Sequence, residues 1–202
     1  MRPGFAFLDE VAPGIRWDAK YATWDNFTGK PVDGYLANRI VGTHALCAAL
    51  RNAQDKAATR GFGLLIWDAY RPQRAVDCFL RWAKQPEDGR KKRQHYPNLN
   101  RAEMFENGYV AIKSGHTRGS TVDLTLYRLE TGELVPMGGG FDLMDAVSHH
   151  GAPGITPAET ANRQHLRSIM EDCGFAAYES EWWHYTLNDE PYPDTYFDFL
   201  IA

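Results

Sequence analysis

A chain of 202 residues has the length of one domain, and 44% hydrophobic with 24% charged residues is ordinary globular composition, with six Trp, ten Tyr and ten Phe to fill a core. The net charge of −4 argues against nucleic acid or an anionic membrane as the main partner. The N-terminal MRPGFAFLDE has acid and proline where a signal peptide needs an apolar stretch, and no apolar run approaches the ~18 residues of a membrane span, so a soluble, cytoplasmic protein is expected.

The basic triplet Lys91, Lys92 and Arg93 follows Glu87 and Asp88 and reads as a solvated loop. Cys47, Cys78 and Cys173 are odd in number and widely spaced, which makes a poor disulfide framework and suits free thiols in a reducing compartment.

In chain order, residues 1–30 space aromatics with Gly and Pro and read as short strands and ordered loop. Leu46, Leu50, Ala53 and Ala57 give an amphipathic helix over 43–60, with Thr43 as N-cap and Gly61 as stop. GLLIWDAY (63–70) is a core strand, and Pro72 opens a helix reaching about Lys84. Residues 85–108 form a long Pro/Gly/Asn-rich loop with one short helix, of the kind that covers sites. YVAIKSGH (109–116) and TVDLTLY (121–127) read as two more strands, with a turn at Thr131-Gly132 and then a glycine run at 138–140. A helix follows over Ala158–Cys173, capped by Thr156, and AAYESEWWHYTL (176–187) closes the sheet. Strands and helices do not alternate regularly, so the expected fold is single-domain α+β, with a mostly antiparallel central sheet flanked by helices.

Two histidines stand apart from the other five, which read as surface or satisfied core residues. His116 ends a predicted strand in a glycine-flanked loop, and Asp123 begins the next strand seven residues later. His184 lies in an aromatic strand three residues after Glu181. His116, Asp123 and His184 are a nitrogen and oxygen set suited to zinc with a fourth position open. On the residues alone, an Asp–His hydrogen bond pinning a loop to a strand is the alternative. Hydrolysis at zinc also needs a carboxylate that takes a proton from water and hands it to the leaving amine, a role open to Glu181. Positions 181 and 184 face opposite sides of an ideal strand, so a bulge is needed to bring them together. Arg71 leaves its strand before Pro72. Alternation sets it on the face of Leu65, Trp67 and Ala69, away from Asp68, so an Asp68–Arg71 pair is not expected. A guanidinium there stabilises an oxyanion or, alternatively, binds loop carbonyls.

SGHTRGSTVDLTLY (114–127) resembles the S-x-H-x-x-G-x-x-x-D motif of the zinc D-Ala-D-Ala peptidases, and ESEWWHY resembles their E-x-W-H motif. WDAKYATWDNFTGKPVDGY, DAYRPQRAV, YRLETGELVPMG and DEPYPDTYFDF extend the likeness along nearly the whole chain, toward the D-Ala-D-Ala dipeptidases of vancomycin resistance. The resemblance implies one zinc ion per chain held by His116, Asp123 and His184. It implies Glu181 as general base and acid and Arg71 as transition-state stabiliser. It further implies a cytoplasmic homodimer restricted to dipeptides, and D stereochemistry rests on the resemblance alone. Family likeness and chemistry together nominate Asp142, helped by Tyr21, for the substrate ammonium, and Ser114 and Tyr35 for its carboxylate. Position 115 is Gly where the pattern suggests Ser. The rival readings are a zinc carboxypeptidase or endopeptidase acting on longer wall peptides, and a non-catalytic zinc module that binds peptide.

Overall fold

The computed structural model describes residues 1–106 and 112–202. β1 (Phe5–Phe7) runs into the short helix α1 (Leu8–Val11), followed by β2 (Arg16–Trp17), β3 (Val41–Thr43), α2 (His44–Thr59), β4 (Phe62–Asp68) and α3 (Gln73–Ala83). Two one-turn helices, α4 (Lys92–His95) and α5 (Glu103–Glu106), punctuate the long loop. Then come β5 (Thr121–Arg128), α6 (Pro157–Glu171), β6 (Phe175–Tyr178) and β7 (Glu181–Leu187). β1 and β3 form an antiparallel ribbon. The main sheet has the order β2-β4-β5-β7-β6, antiparallel except between β2 and β4. This is the expected α+β class. Among the described residues no helix is long and apolar enough to cross a membrane.

Local signals act as the sequence suggests. The Thr43 hydroxyl accepts from the Leu46 amide at 3.1 Å, and α2 ends just before Gly61 at φ +80°. α6 opens with a capping box between Thr156 and Glu159. α3 starts one residue later than expected, with Pro72 as its N-cap. α2 and α6 bury Leu46, Leu50, Leu166 and Ile169 with the sheet residues Ile66, Leu124 and Tyr185. Fully burying each such aliphatic side chain contributes about 1.5–3 kcal/mol. A second, aromatic cluster gathers Phe5, Tyr21, Phe27, Tyr70, Phe79 and Trp82, and Phe141 packs on both clusters.

The strand expected over 109–116 needs correction. Residues 109–111 lie outside the described residues, residues 112–114 are irregular, and Gly115–Arg118 form a 3₁₀ turn. β5, which follows at once, already has β4 and β7 on its two sides, so the sheet offers no place beside it. The Ser114 hydroxyl caps the turn by accepting from the His116 amide, and Gly119 ends it at φ +84°.

Two breaks in register shape the site. β4 pairs with β5 regularly from Phe62↔Arg128 to Ile66↔Leu124 and then jumps to Asp68↔Asp123, leaving Trp67 as the extra residue. β6 pairs with β7 from Phe175↔Leu187 to Ala177↔Tyr185 and then jumps to Tyr178↔Glu181. The first break turns Asp68 onto the face of Asp123, and Asp123 lies directly opposite His184 on β7. Directly opposed residues share a face of the sheet, so Asp68, Asp123 and His184 form one row across three strands.

Candidate metal and catalytic site

His116 enters this row from the 3₁₀ turn. Its Nδ1 lies 2.8 Å from the Ala69 carbonyl oxygen. A carbonyl only accepts, so Nδ1 carries the proton and Nε2 keeps its lone pair. That Nε2 is 3.2 Å from Asp123 Oδ2 and 3.3 Å from His184 Nδ1, and His184 Nδ1 is 3.1 Å from Asp123 Oδ1. His116 is 1% exposed and Asp123 2%, and Asp123 Oδ1 finds no hydrogen-bond donor among the described residues. Two imidazole nitrogens and a buried, under-satisfied carboxylate converge on one point. The donor set fits a divalent cation such as zinc.

The electrostatics agree. Burial pushes the Asp123 pKa up, but His116 and His184 outweigh it and hold the carboxyl well below the usual range. Burial lowers the His116 pKa. Burial works in the same direction on His184, but Asp123 and Glu181 beside it prevail and the net shift is upward.

Glu181 and His184 meet as hydrolysis at a metal requires. Glu181 Oε2 lies 3.3 Å from His184 Nδ1, where the register break brings two positions of nominally opposite face together. Burial, opposed by His184 and Arg71, raises the Glu181 pKa to about 7. A carboxylate poised there exchanges protons near neutral pH. Arg71 reaches the same place, its Nη2 3.4 Å from Asp123 Oδ2.

The Asp68–Arg71 pair, disfavoured on alternation, is present: Arg71 Nε donates to Asp68 Oδ2 at 2.9 Å. Alternation failed because the extra residue Trp67 reverses which side of β4 Asp68 occupies. Asp68 is the functional-site neighbour that sequence reasoning missed, and a bulge in β4 leaves no signal in residue type.

These groups line a cavity of about 260 Å³, walled further by Tyr21, Ser114, Gly115, Asp142 and Tyr178. Asp142 is 7% exposed, adopts φ +54°, and accepts a hydrogen bond from the Tyr21 hydroxyl at 2.8 Å. Burial, reinforced by Asp123, pushes its pKa well above the usual range, and no cation pairs with it among the described residues. His95, from the long loop, holds the backbone here, with Nδ1 3.2 Å from the Asp142 carbonyl. Ser114 lines the cavity. Tyr35 does not: it is 5% exposed and its hydroxyl donates to Asp68 Oδ1 at 2.7 Å, so the carboxylate-binding role expected of it is corrected.

The full chain, residues 1–202, matches the family described as D-ala-D-ala dipeptidase. It is 73% identical to a D-alanyl-D-alanine dipeptidase of Streptomyces coelicolor and 65% identical to one of Enterococcus faecium, in each case over all of both chains. A D-alanyl-D-alanine dipeptidase of Escherichia coli is 36% identical over 89% of this chain and 82% of its own length.

Proposed function

The chain belongs to the D-ala-D-ala dipeptidase family of peptidases, and on that premise we propose that it uses zinc to hydrolyse the free dipeptide D-Ala-D-Ala to two D-alanines. The observation that carries this reading is the convergence of His116, Asp123 and His184 with Glu181 and Arg71 around a cavity of about 260 Å³, a volume on the scale of a dipeptide.

His116 Nε2, Asp123 and His184 Nδ1 would hold the ion. When bound, zinc supplies a Lewis acid at the scissile carbonyl and lowers the pKa of water. Glu181 takes a proton from the attacking water and delivers it to the departing amine. Arg71 donates to the oxygen on which negative charge develops, from the guanidinium end that makes no hydrogen bond among the described residues. Asp142, buried without a cation partner among the described residues, receives the substrate ammonium, and the Tyr21 hydroxyl fixes the orientation of its carboxylate. Ser114, which caps the His116 turn and lines the cavity, meets the substrate carboxylate. An ammonium subsite inside a small cavity selects free dipeptides over the interior of longer chains. In the cytoplasm such an enzyme removes the dipeptide before it enters the cell wall, either in glycopeptide resistance or in dipeptide turnover.

The test is a comparison of substrates with zinc-loaded protein. D-Ala-D-Ala should be cleaved far faster than its N-acetyl derivative, D-Ala-D-Ala-D-Ala or L-Ala-L-Ala. Equal rates for the acetylated dipeptide would remove Asp142 from its role and favour the enzymes of longer wall peptides. Sparing of D-Ala-D-lactate would support the resistance role over general turnover, because that ester is the replacement wall precursor the cell must keep.

A further inference from the structure

Asp68 has no part in the steps above, yet it is a 1% exposed carboxylate beside the catalytic cavity. We propose that Asp68, braced by Tyr35, is the positioning residue that aims Arg71 at the transition state, an inference that rests on the role given to Arg71 above. Both oxygens of Asp68 are committed. Oδ2 accepts from Arg71 Nε at 2.9 Å and Oδ1 accepts from the Tyr35 hydroxyl at 2.7 Å. Tyr35 is buried and packs 5.7 Å from the Tyr21 ring, so the carboxylate has one available orientation.

A guanidinium presents five N–H donors in a fixed plane. Here the edge carrying Nε and Nη2 is spent on Asp68 and Asp123. The rings of Tyr21 and Phe79 lie 5.0 and 5.4 Å from the guanidinium carbon. Nη1 donates to no protein group among the described residues, and Arg71 lines the cavity, so this end is left for substrate. Charge stabilisation in a transition state is most effective when the donor need not reorganise, and a long side chain reaches that condition only if its own plane is fixed. Asp68 fixes it.

Orientation of a metal ligand is a different role, and the geometry speaks against it. Asp68 Oδ2 is 3.7 Å from His116 Nδ1, whereas that nitrogen is 2.8 Å from the Ala69 carbonyl, which therefore orients the ring.

The test is a double-mutant comparison of Asp68→Asn, Tyr35→Phe, Arg71→Ala and Asp68→Asn/Arg71→Ala, each zinc-loaded, with metal content and circular dichroism recorded. Asp68→Asn should lower kcat about 100-fold with KM changed by no more than about threefold, and Tyr35→Phe should lower kcat about tenfold. Affinity for a phosphinate isostere of the dipeptide, which presents a tetrahedral anion, should fall in parallel while zinc stoichiometry holds. In the Arg71→Ala background, Asp68→Asn should cost no more than about twofold, because Asp68 acts through an arginine that is gone. The same loss in both backgrounds, or a rise in KM alone, overturns the inference. Wild-type kcat in Asp68→Asn beside an impaired Arg71→Ala overturns it as well. Wild-type kcat in Arg71→Ala instead refutes the role of Arg71 itself. If Asp68→Asn does not fold, Tyr35→Phe with and without Arg71→Ala makes the same comparison.

Discussion

Asp123 and His184 stand directly opposite each other on β5 and β7, in the middle of the five-stranded sheet. Asp142 stands in a loop at φ +54°, held by the Tyr21 hydroxyl and by the contact of His95 with its carbonyl. The two ends of one cavity are thus built on different principles. At the proposed metal end, strand register fixes the distances, and a slip of one residue would turn Asp123 or His184 to the wrong face. At the proposed substrate end, side-chain contacts hold a left-handed residue whose carboxylate is buried without a cation partner among the described residues. A rigid end suits the chemistry, which tolerates little error in position. A loop-held end suits selection, because loops change without disturbing the sheet.

The sharpest way to separate the ends is to remove a group from each. Glu181→Ala should lower kcat by about 10³-fold while leaving zinc bound, since proton transfer supplies about 10²–10⁴-fold and the three ligands remain. Metal content by atomic absorption, beside steady-state kinetics, checks both halves. Stripping zinc with a chelator should abolish activity and also lower the melting temperature, because Asp123 Oδ1 then has no hydrogen-bond donor among the described residues. Zinc should restore both, and recovery of activity without recovery of the melting temperature would break the link between site and fold.

The turn that brings His116 to the metal end offers a second break. A Cβ on Gly119, at φ +84°, would lie 2.3 Å from Phe5 Cε1 and 2.8 Å from its Cζ. Gly119→Ala should therefore cost about 3 kcal/mol, from backbone strain and overlap together, read as a fall in the denaturant midpoint. Because the carbonyl of this glycine also accepts from the Thr43 amide at 2.9 Å, zinc affinity should fall with stability.

The substrate end should respond differently. Asp142→Asn should raise KM for free D-Ala-D-Ala about 30- to 100-fold and narrow the preference over the acetylated dipeptide, with kcat less affected. Its stability should rise by about 1 kcal/mol, because an uncompensated buried carboxylate is replaced by a neutral amide of the same shape. A loss of stability would show that Asp142 is already paired in solution.

This contrast also explains what the sequence could reveal. His116, Asp123, Glu181 and His184 are legible because short motifs carry them and chemistry limits which residue types serve. α2 and α6 are legible because capping and apolar spacing are local. The row formed by Asp68, Asp123 and His184 was not, because it depends on one extra residue, Trp67, whose effect exists only against β5. Tyr35 fails for the same reason. Its chemistry suits a substrate carboxylate, but the bulge puts Asp68 within 2.7 Å of its hydroxyl. The path of residues 112–116, read as the end of a strand over 109–116 but irregular and then a 3₁₀ turn, follows from an occupied sheet, which no local pattern encodes.

His95 ties the long loop to the substrate end, and acid should loosen it. The ring is 3% exposed and its Nε2 lacks a partner among the described residues. Burial, aided by Lys91 and opposed by the Asp142 carbonyl and by Asp25, lowers its pKa from 6.5 to about 4. The unfolded chain then binds a proton near pH 6.5 that the folded chain refuses until about pH 4, so stability falls as the pH drops through that window. Between pH 7 and 5 the loss is about 2 kcal/mol. His150, whose pKa burial also lowers to about 4, loses stability over the same range and stays constant when only position 95 is changed. His95→Asn keeps a donor for the Asp142 carbonyl but cannot titrate, so its melting temperature should fall less than that of the native protein between pH 7 and 5. Equal slopes would place the acid sensitivity elsewhere. A flatter slope with KM for the free dipeptide rising less steeply in acid would show that His95 holds the ammonium subsite together, while the strand-held ligands Asp123 and His184 stay in register.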